Sequence, residues 1–269
     1  MPYTEISMRL PLLVLSLALA AQAQDALDIV RRAIETDHRN LEALRRYTYT
    51  QRQEQREIDS TGRVKKLESS TFEVLLLEGS PYRHLVARND QPLPAKDQRI
   101  EDDKLRQTVT TRGRETKEQR DARIAEWYRK QERQLDPAKQ IPEAFTFVLS
   151  GSETLNGADT WIIDASPRPG YKPRTQSTSF FPKVKFRLWV EKSAYQWIKL
   201  DMESLDTISF AGFLIRMSRG SHLTAENNRL SPDLCAPARW TLQGSVRIAL
   251  IKLLRGQLTY SFTNYKLAS

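Results

Sequence analysis

Between Asp25 and Arg45 the apolar positions Ile29, Val30, Ala33, Ile34, Leu41 and Leu44 return at steps of three and four, with Arg31, Arg32, Glu35 and Arg45 filling the other side. That spacing predicts a helix with a single apolar stripe, opened by Asp25 as its cap. At Tyr47 the period changes to two. Tyr47 to Ile58 reads as a long, mostly polar strand, Asp59 to Gly62 as a turn, and Val64 to Leu77 as the returning strand. Tyr82 to Arg88 predicts a third strand ending at Asn89 and Asp90. The pattern breaks after Pro92 and Pro94. Ile100, Leu105 and Val109, then Ile124, Trp127, Tyr128 and Leu135, predict helical pieces over about 94–110 and 115–135, the second stopped by Asp136 and Pro137.

From Phe145 onward alternation dominates. Phe145, Phe147 and Leu149 alternate with polar or small residues, Asn156 and Gly157 predict a tight hairpin turn, and Thr160 to Ala165 its return strand. Pro167 to Ser179 is a loop rich in proline and basic residues. Phe186, Leu188 and Val190 then share one face with Val184, against Lys185 and Arg187. Ile198, Leu200 and Met202 share the next, against Lys199, Asp201 and Glu203. Trp240, Leu242, Val246 and Ile248 repeat the pattern, and Leu258, Tyr260 and Phe262 close the chain.

Short turns between such strands make them antiparallel, one face apolar and one wet, and leave no room for the crossover helices of a parallel sheet. The expected fold is mainly β with helices (α+β): a strongly curved antiparallel sheet or half-open β-barrel of about ten strands, too many to lie flat with one face apolar. The N-terminal helix and the inserted helical pair would cover it as a lid. If that inner face is a cavity rather than a plain core, its lining is Phe186, Leu188, Val190, Ile198, Leu200, Met202, Trp240, Leu242, Val246, Ile248, Tyr260 and Phe262.

The start of the chain changes the picture from fold to compartment. Leu10 to Ala21 is an apolar run, and Ala21, Gln22 and Ala23 fit the small-x-small rule for signal peptidase, with cleavage before Gln24. The run is short for a membrane span, and Met8 followed by Arg9 suits a translation start better than Met1. Residues 1–23 are therefore expected to be a signal peptide and 24–269 a single exported domain, periplasmic and soluble. No cysteine stands at the cleavage point to be lipidated.

The formal net charge of +9 survives cleavage, since Glu5 and Arg9 leave together. Outside the cytoplasm such a charge points to anionic headgroups or acidic envelope partners rather than to nucleic acid, and peripheral membrane contact is compatible with it. Much of it is interleaved with acids, as in the run from Arg112 to Arg123, which reads as a solvated helix face. A lone cysteine, Cys235, between Pro232 and Pro237 in a predicted loop, rules out an internal disulfide. It is either an incidental residue or a site of intermolecular pairing.

Catalytic signatures are missing. His38, His84 and His222 stand apart with no zinc-binding spacing, and no nucleophile elbow, phosphate loop or dinucleotide fingerprint is present. The acids Glu101, Asp102 and Asp103 read as a solvated helix face rather than a metal cluster. No metal or cofactor is expected. Trp161, Trp189, Trp197 and Trp240 lie in predicted strands, Trp189 and Trp197 on the nominally polar faces. They fit core packing or an edge contact, with cavity lining as the other reading.

The arrangement resembles the periplasmic outer-membrane lipoprotein-sorting proteins, the LolA/LolB-like superfamily that also includes RseB-type sensor domains, and within it an uncharacterised branch. The likeness is carried by Tyr47 to Gln51, Pro81 to Leu93, Lys185 to Glu191 and Leu258 to Lys266. It implies a half-barrel with helices over an apolar cavity, which in the carriers shields lipoprotein acyl chains. The carriers clasp their lid with a strand arginine, for which Arg83 is the nearest basic residue. The charged insertion at 94–135 and the missing anchor cysteine depart from the pattern and disfavour an anchored receptor. The expected function is that of an exported binding protein holding a lipid, a lipoprotein acyl chain or another hydrophobic ligand. The alternatives are an envelope sensor or interaction module of the same fold, or an enzyme acting on lipid or glycan.

Overall fold

The computed structural model describes the backbone of residues 9–210, 215–248 and 252–268, and within these the side chains of 25–133, 135–209, 216–247 and 255–268. Helix α1 (Arg9–Leu44) leads into β1 (Tyr47–Ile58), β2 (Val64–Leu77), β3 (Ser80–Arg88) and the two-residue β4 (Gln91–Pro92). Helices α2 (Ala95–Gly113) and α3 (Lys117–Ala144) follow, then β5 (Phe145–Leu155), β6 (Ala158–Pro167), β7 (Val184–Glu191) and β8 (Trp197–Ser204). The short β9 (Ile208–Phe210) and β10 (Ile215–Met217) precede β11 (His222–Ser231), β12 (Leu234–Ile248) and β13 (Lys252–Leu267).

All 13 strands belong to one sheet, three more than the alternation suggested. The order β4-β3-β2-β1-β13-β12-β11-β8-β7-β6-β5 runs from one edge to the other without closing, and β9 and β10 attach beside the far end of β12. The recorded pairings are antiparallel. The hairpin at Asn156 and Gly157 has φ of 53° and 79°, the paired left-handed conformation of a type I′ turn.

Register assigns the faces, because residues directly opposite across strands point the same way. One row crosses the sheet as Phe147, Ala165, Phe186, Met202, Leu223, Leu242, Leu258 and Gln55; the next as Leu149, Ile163, Leu188, Leu200, Ala225, Trp240, Tyr260 and Gln53. Around β5 to β8 this inner face lies against α1 and the end of α3. The outer face between those rows carries Asp164, Arg187, Asp201, Thr224, Thr241, Thr259 and Glu54. Lys185, Arg187, Lys199, Asp201 and Glu203 accordingly share the polar side.

Ala26, Ile29, Val30 and Ala33 of α1 are buried with Phe145, Phe147, Ile163, Val184, Leu188 and Val190 in one core. Each large apolar side chain in such a core contributes about 1.5–3 kcal/mol, enough to fix a helix that is amphipathic on one stripe. Asp25 opens no helix, since α1 passes through it: the Leu- and Ala-rich residues before it contain no breaker after Pro11.

The helical insertion is longer than the sequence suggested. Thr116 opens α3 through a reciprocal capping box with Gln119, and the helix continues through Pro137 and Pro142 to Ala144. A proline inside a helix forfeits a hydrogen bond. Here Ile141 packs on the core and Ala144 is buried within it, contacts that favour continuation over termination. The helices are tied to the turn between β2 and β3. Arg112 donates to the carbonyls of Leu77 and Ser80 at 3.0 and 2.9 Å, and Arg123 pairs with Glu115 and donates to the Glu78 carbonyl at 3.0 Å.

Candidate functional site

The stripe of α1 that faces the sheet ends in Val30, Ala33, Ile34 and Asp37, at helical steps of three and four. Opposite them the last turns of α3 present Pro137, Ala138 and Ile141, and Phe145 opens β5. Phe180 and Phe181 enter from the loop before β7. Val184, Phe186 and Leu188 of β7 and Trp197, Leu200 and Met202 of β8 complete the wall. These side chains enclose a cavity of about 290 Å³, at the lower edge of the range of small-molecule sites. A methylene-rich chain suits such a wall.

Asp37 is the ionisable group on this wall. The Trp197 indole donates to Asp37 Oδ1 at 2.6 Å. Burial pushes the Asp37 carboxyl above the ordinary aspartate range, against the opposing pull of that hydrogen bond and of neighbouring His38. A carboxyl so placed is one polar point in an otherwise greasy cavity.

A second cavity, about 210 Å³, lies farther along the inner face, with Met217, Leu242, Val246 and Leu258 on its wall and Arg56, Glu57 and Arg255 also lining it. Its floor holds Gly244 and Gly256, which face each other across β12 and β13. A Cβ on Gly256 would stand 1.8 Å from the Arg56 carbonyl oxygen, so β1 can approach β13 here only past a glycine. Met202 on the first wall, Leu223, and Leu242 on the second share one register row. The two cavities are thus joined by an apolar lane across β8, β11 and β12.

The predicted lining residues divide between these places. Phe186, Leu188, Leu200 and Met202 line the first cavity, and Leu242 and Val246 the second. Val190 has no exposed surface and belongs to the solid core. Ile198 is buried but lines neither cavity: Val190 pairs with Trp197 while Trp189 pairs with Lys199, a bulge that leaves Ile198 as the extra residue and brings Trp197 to the wall. The expectation that Ile198 shares the wall with Leu200 is thereby corrected. Trp240 has the predicted face but is 41% exposed, and Tyr260 and Phe262 flank it half-buried, outside both cavities. The side chain of Ile248 lies outside the described residues.

Sequence reasoning offered Trp197 only as a second reading, and missed Asp37 and the end of α3. The first needed knowledge of a bulge, and the last was hidden by two prolines. Arg83 stacks over the Phe72 ring at 4.0 Å, whereas the guanidinium groups that bind the β2–β3 turn to the helices are Arg112 and Arg123. Cys235 lies in β12, not a loop. It is buried, and desolvation pushes its thiol up to about 11, which leaves it a protonated packing group. His84 faces Asp102 of α2 at 3.3 Å, while Glu101 and Asp103 pair with Lys104 and Arg106. Among the described residues no helix is long and apolar enough to cross a membrane.

No family model matches the chain, and no curated protein sequence matches it. Solved structures do show similarity over most of their length. A DUF1329 family protein from Desulfovibrio piger is 9% identical, with 91% of this chain and 93% of that one covered at a TM-score of 0.33. An outer-membrane lipoprotein-sorting protein domain from Vibrio parahaemolyticus is 10% identical over 91% and 92%, at 0.34. A LolA superfamily protein from Nitrosomonas europaea is 13% identical over 91% and 94%, at 0.31. These are likenesses at low identity and low superposition score, and the functional reading rests on the cavities themselves.

Proposed function

We propose that this chain is an exported binding protein that holds a lipid, a lipoprotein acyl chain or another hydrophobic ligand on the inner face of its open sheet. The observation that carries the reading is the apolar cavity between α1, the end of α3, β7 and β8, with its continuation toward Leu242 and Val246. Each methylene removed from water contributes about 0.8 kcal/mol, so burial of one chain supplies binding energy without a catalytic group. A wall with one ionisable side chain, already engaged by Trp197, favours holding over chemistry. In this reading residues 1–23 direct export and are removed, and 24–269 act as one binding unit in the periplasm.

Native mass spectrometry of the mature protein purified from its own envelope should find a co-purifying lipid, and an environment-sensitive fatty-acid probe should bind the delipidated protein. Leu200→Lys places a charge on the cavity wall and should abolish probe binding while circular dichroism keeps the β signal. A wild type that carries no lipid and binds no probe would remove the proposal.

A further inference from the structure

The far end of the sheet carries a cluster that ligand binding on the inner face leaves unexplained. Arg216 of β10 lies directly opposite Arg247 of β12. On the other side of β12, Ser245 pairs with Arg255 of β13, which makes Arg255 the diagonal neighbour of Arg247. All three are exposed, and all three share the outer face. None forms an ion pair among the described residues, although guanidinium–carboxylate pairs are frequent elsewhere on this face, as at Arg187 with Asp164. Like charges directly opposite across strands oppose the pairing that brings them together. Three such groups with no ion pair among the described residues are a cost to the free protein that an anionic partner would relieve.

The setting says what kind of anion. A pocket for a small anion would bury at least one donor, and here every guanidinium stands in solvent on an extended sheet face. At the same end, the opposite face of these strands carries the apolar wall of Met217, Val246 and Leu242. Three charges spread over β10, β12 and β13 on an exposed sheet face suit an extended anionic surface such as lipid headgroups present.

We infer that this end docks on an anionic lipid bilayer, with Arg216, Arg247 and Arg255 against the headgroups. Docking here would set the second cavity beside the membrane, but the proposal stands without any occupant of either cavity.

Vesicle flotation tests it with the mature protein. Vesicles of phosphatidylglycerol and phosphatidylethanolamine should carry the protein up, those of phosphatidylcholine should not, and added salt should release it. Each arginine near such a surface contributes enough that the double variant Arg216→Thr with Arg247→Thr should weaken vesicle affinity about thirtyfold. Threonine keeps strand propensity, and Arg255→Thr alone, expected to weaken affinity about fivefold, serves if the double variant does not fold. A control removing two exposed charges from the helices, Arg106→Ser with Lys117→Ser, should retain affinity within about threefold, the loss expected from net charge alone. Uptake of the fatty-acid probe should be unchanged in the double variant of Arg216 and Arg247 and in the control, neither of which alters a cavity-lining residue, and this separates docking from cavity binding. Failure of the wild type to float would overturn the inference. So would equal losses in double variant and control, or binding confined to a soluble polyanion such as heparin.

Discussion

The two ends of one inner face have come to different states. Around β5 to β8 it is closed by α1 and α3, and Phe145, Ile163 and Val190 lie at 1%, 0% and 0% exposure. Around β1, β12 and β13 the same register rows continue, yet Trp240 is 41% exposed and Gln51, Gln53 and Gln55 occupy inward positions. Phe262 meets Tyr49 and Trp240 there with ring centroids 6.1 and 5.5 Å apart, an aromatic lane rather than a core. The alternation of side chains is the same in both halves. What differs is the supply of helix, and cover rather than periodicity decides whether an apolar face becomes a core, a cavity or an open lane.

The largest effect expected from breaking that contrast lies in the covered half. Phe145→Ala should cost about 3–5 kcal/mol in urea unfolding, while Trp240→Ala on the same face should cost about 1 kcal/mol. Equal losses would show both halves to be packed alike. Next in size is Gly256→Ala. The new methyl must push β1 from β13 at the Arg56 carbonyl, and a loss of about 1–3 kcal/mol is expected, with amide exchange rising first along β1.

Two aspartates sharpen the comparison by their opposite pH behaviour. Asp37, on the covered inner wall, keeps its proton to higher pH in the folded protein than the unfolded value of 3.8. Its contribution therefore favours the fold below that value and is lost as pH rises through the folded one; Asp37→Asn should remove this fall from the urea midpoint while leaving an acceptor for Trp197. Asp164, on the outer face, is held below 3.8 by the bidentate Arg187 guanidinium at 2.6 and 2.9 Å. Its contribution is present above the unfolded value and lost as pH falls toward the folded one. The smallest expected effect is that of Arg187→Ala: this exposed pair should contribute well under about 1 kcal/mol at neutral pH, read by the same titration.

Much of this architecture was legible in the amino-acid order. The limits of β1 and β2 match the alternation from Tyr47 to Ile58 and from Val64 to Leu77, because polar turn residues from Asp59 to Gly62 interrupt it on cue. The inward faces of β7 and of β12 followed from the same period. Local patterns failed where tertiary contacts outweighed them: α3 runs through Pro137 because its final turns have a core to meet, and a bulge exchanged Ile198 for Trp197. Neither the exposure of Trp240 nor the burial of Cys235 has a local signature. Both depend on which distant segment lies above them.

The pairing of β1 with β13 has a consequence for the order of assembly. Tyr47 meets Leu267, so the fourth and fifth strands from the β4 edge are joined only after residues far apart in the sequence have both been made. Until then β1 to β3 form a ribbon with an unsatisfied edge on β1, and β12 waits with another. Contacts so distant in sequence slow folding and leave such edges open to wrong partners. Removing the last strand should leave a protein that aggregates, not a smaller version of the same sheet.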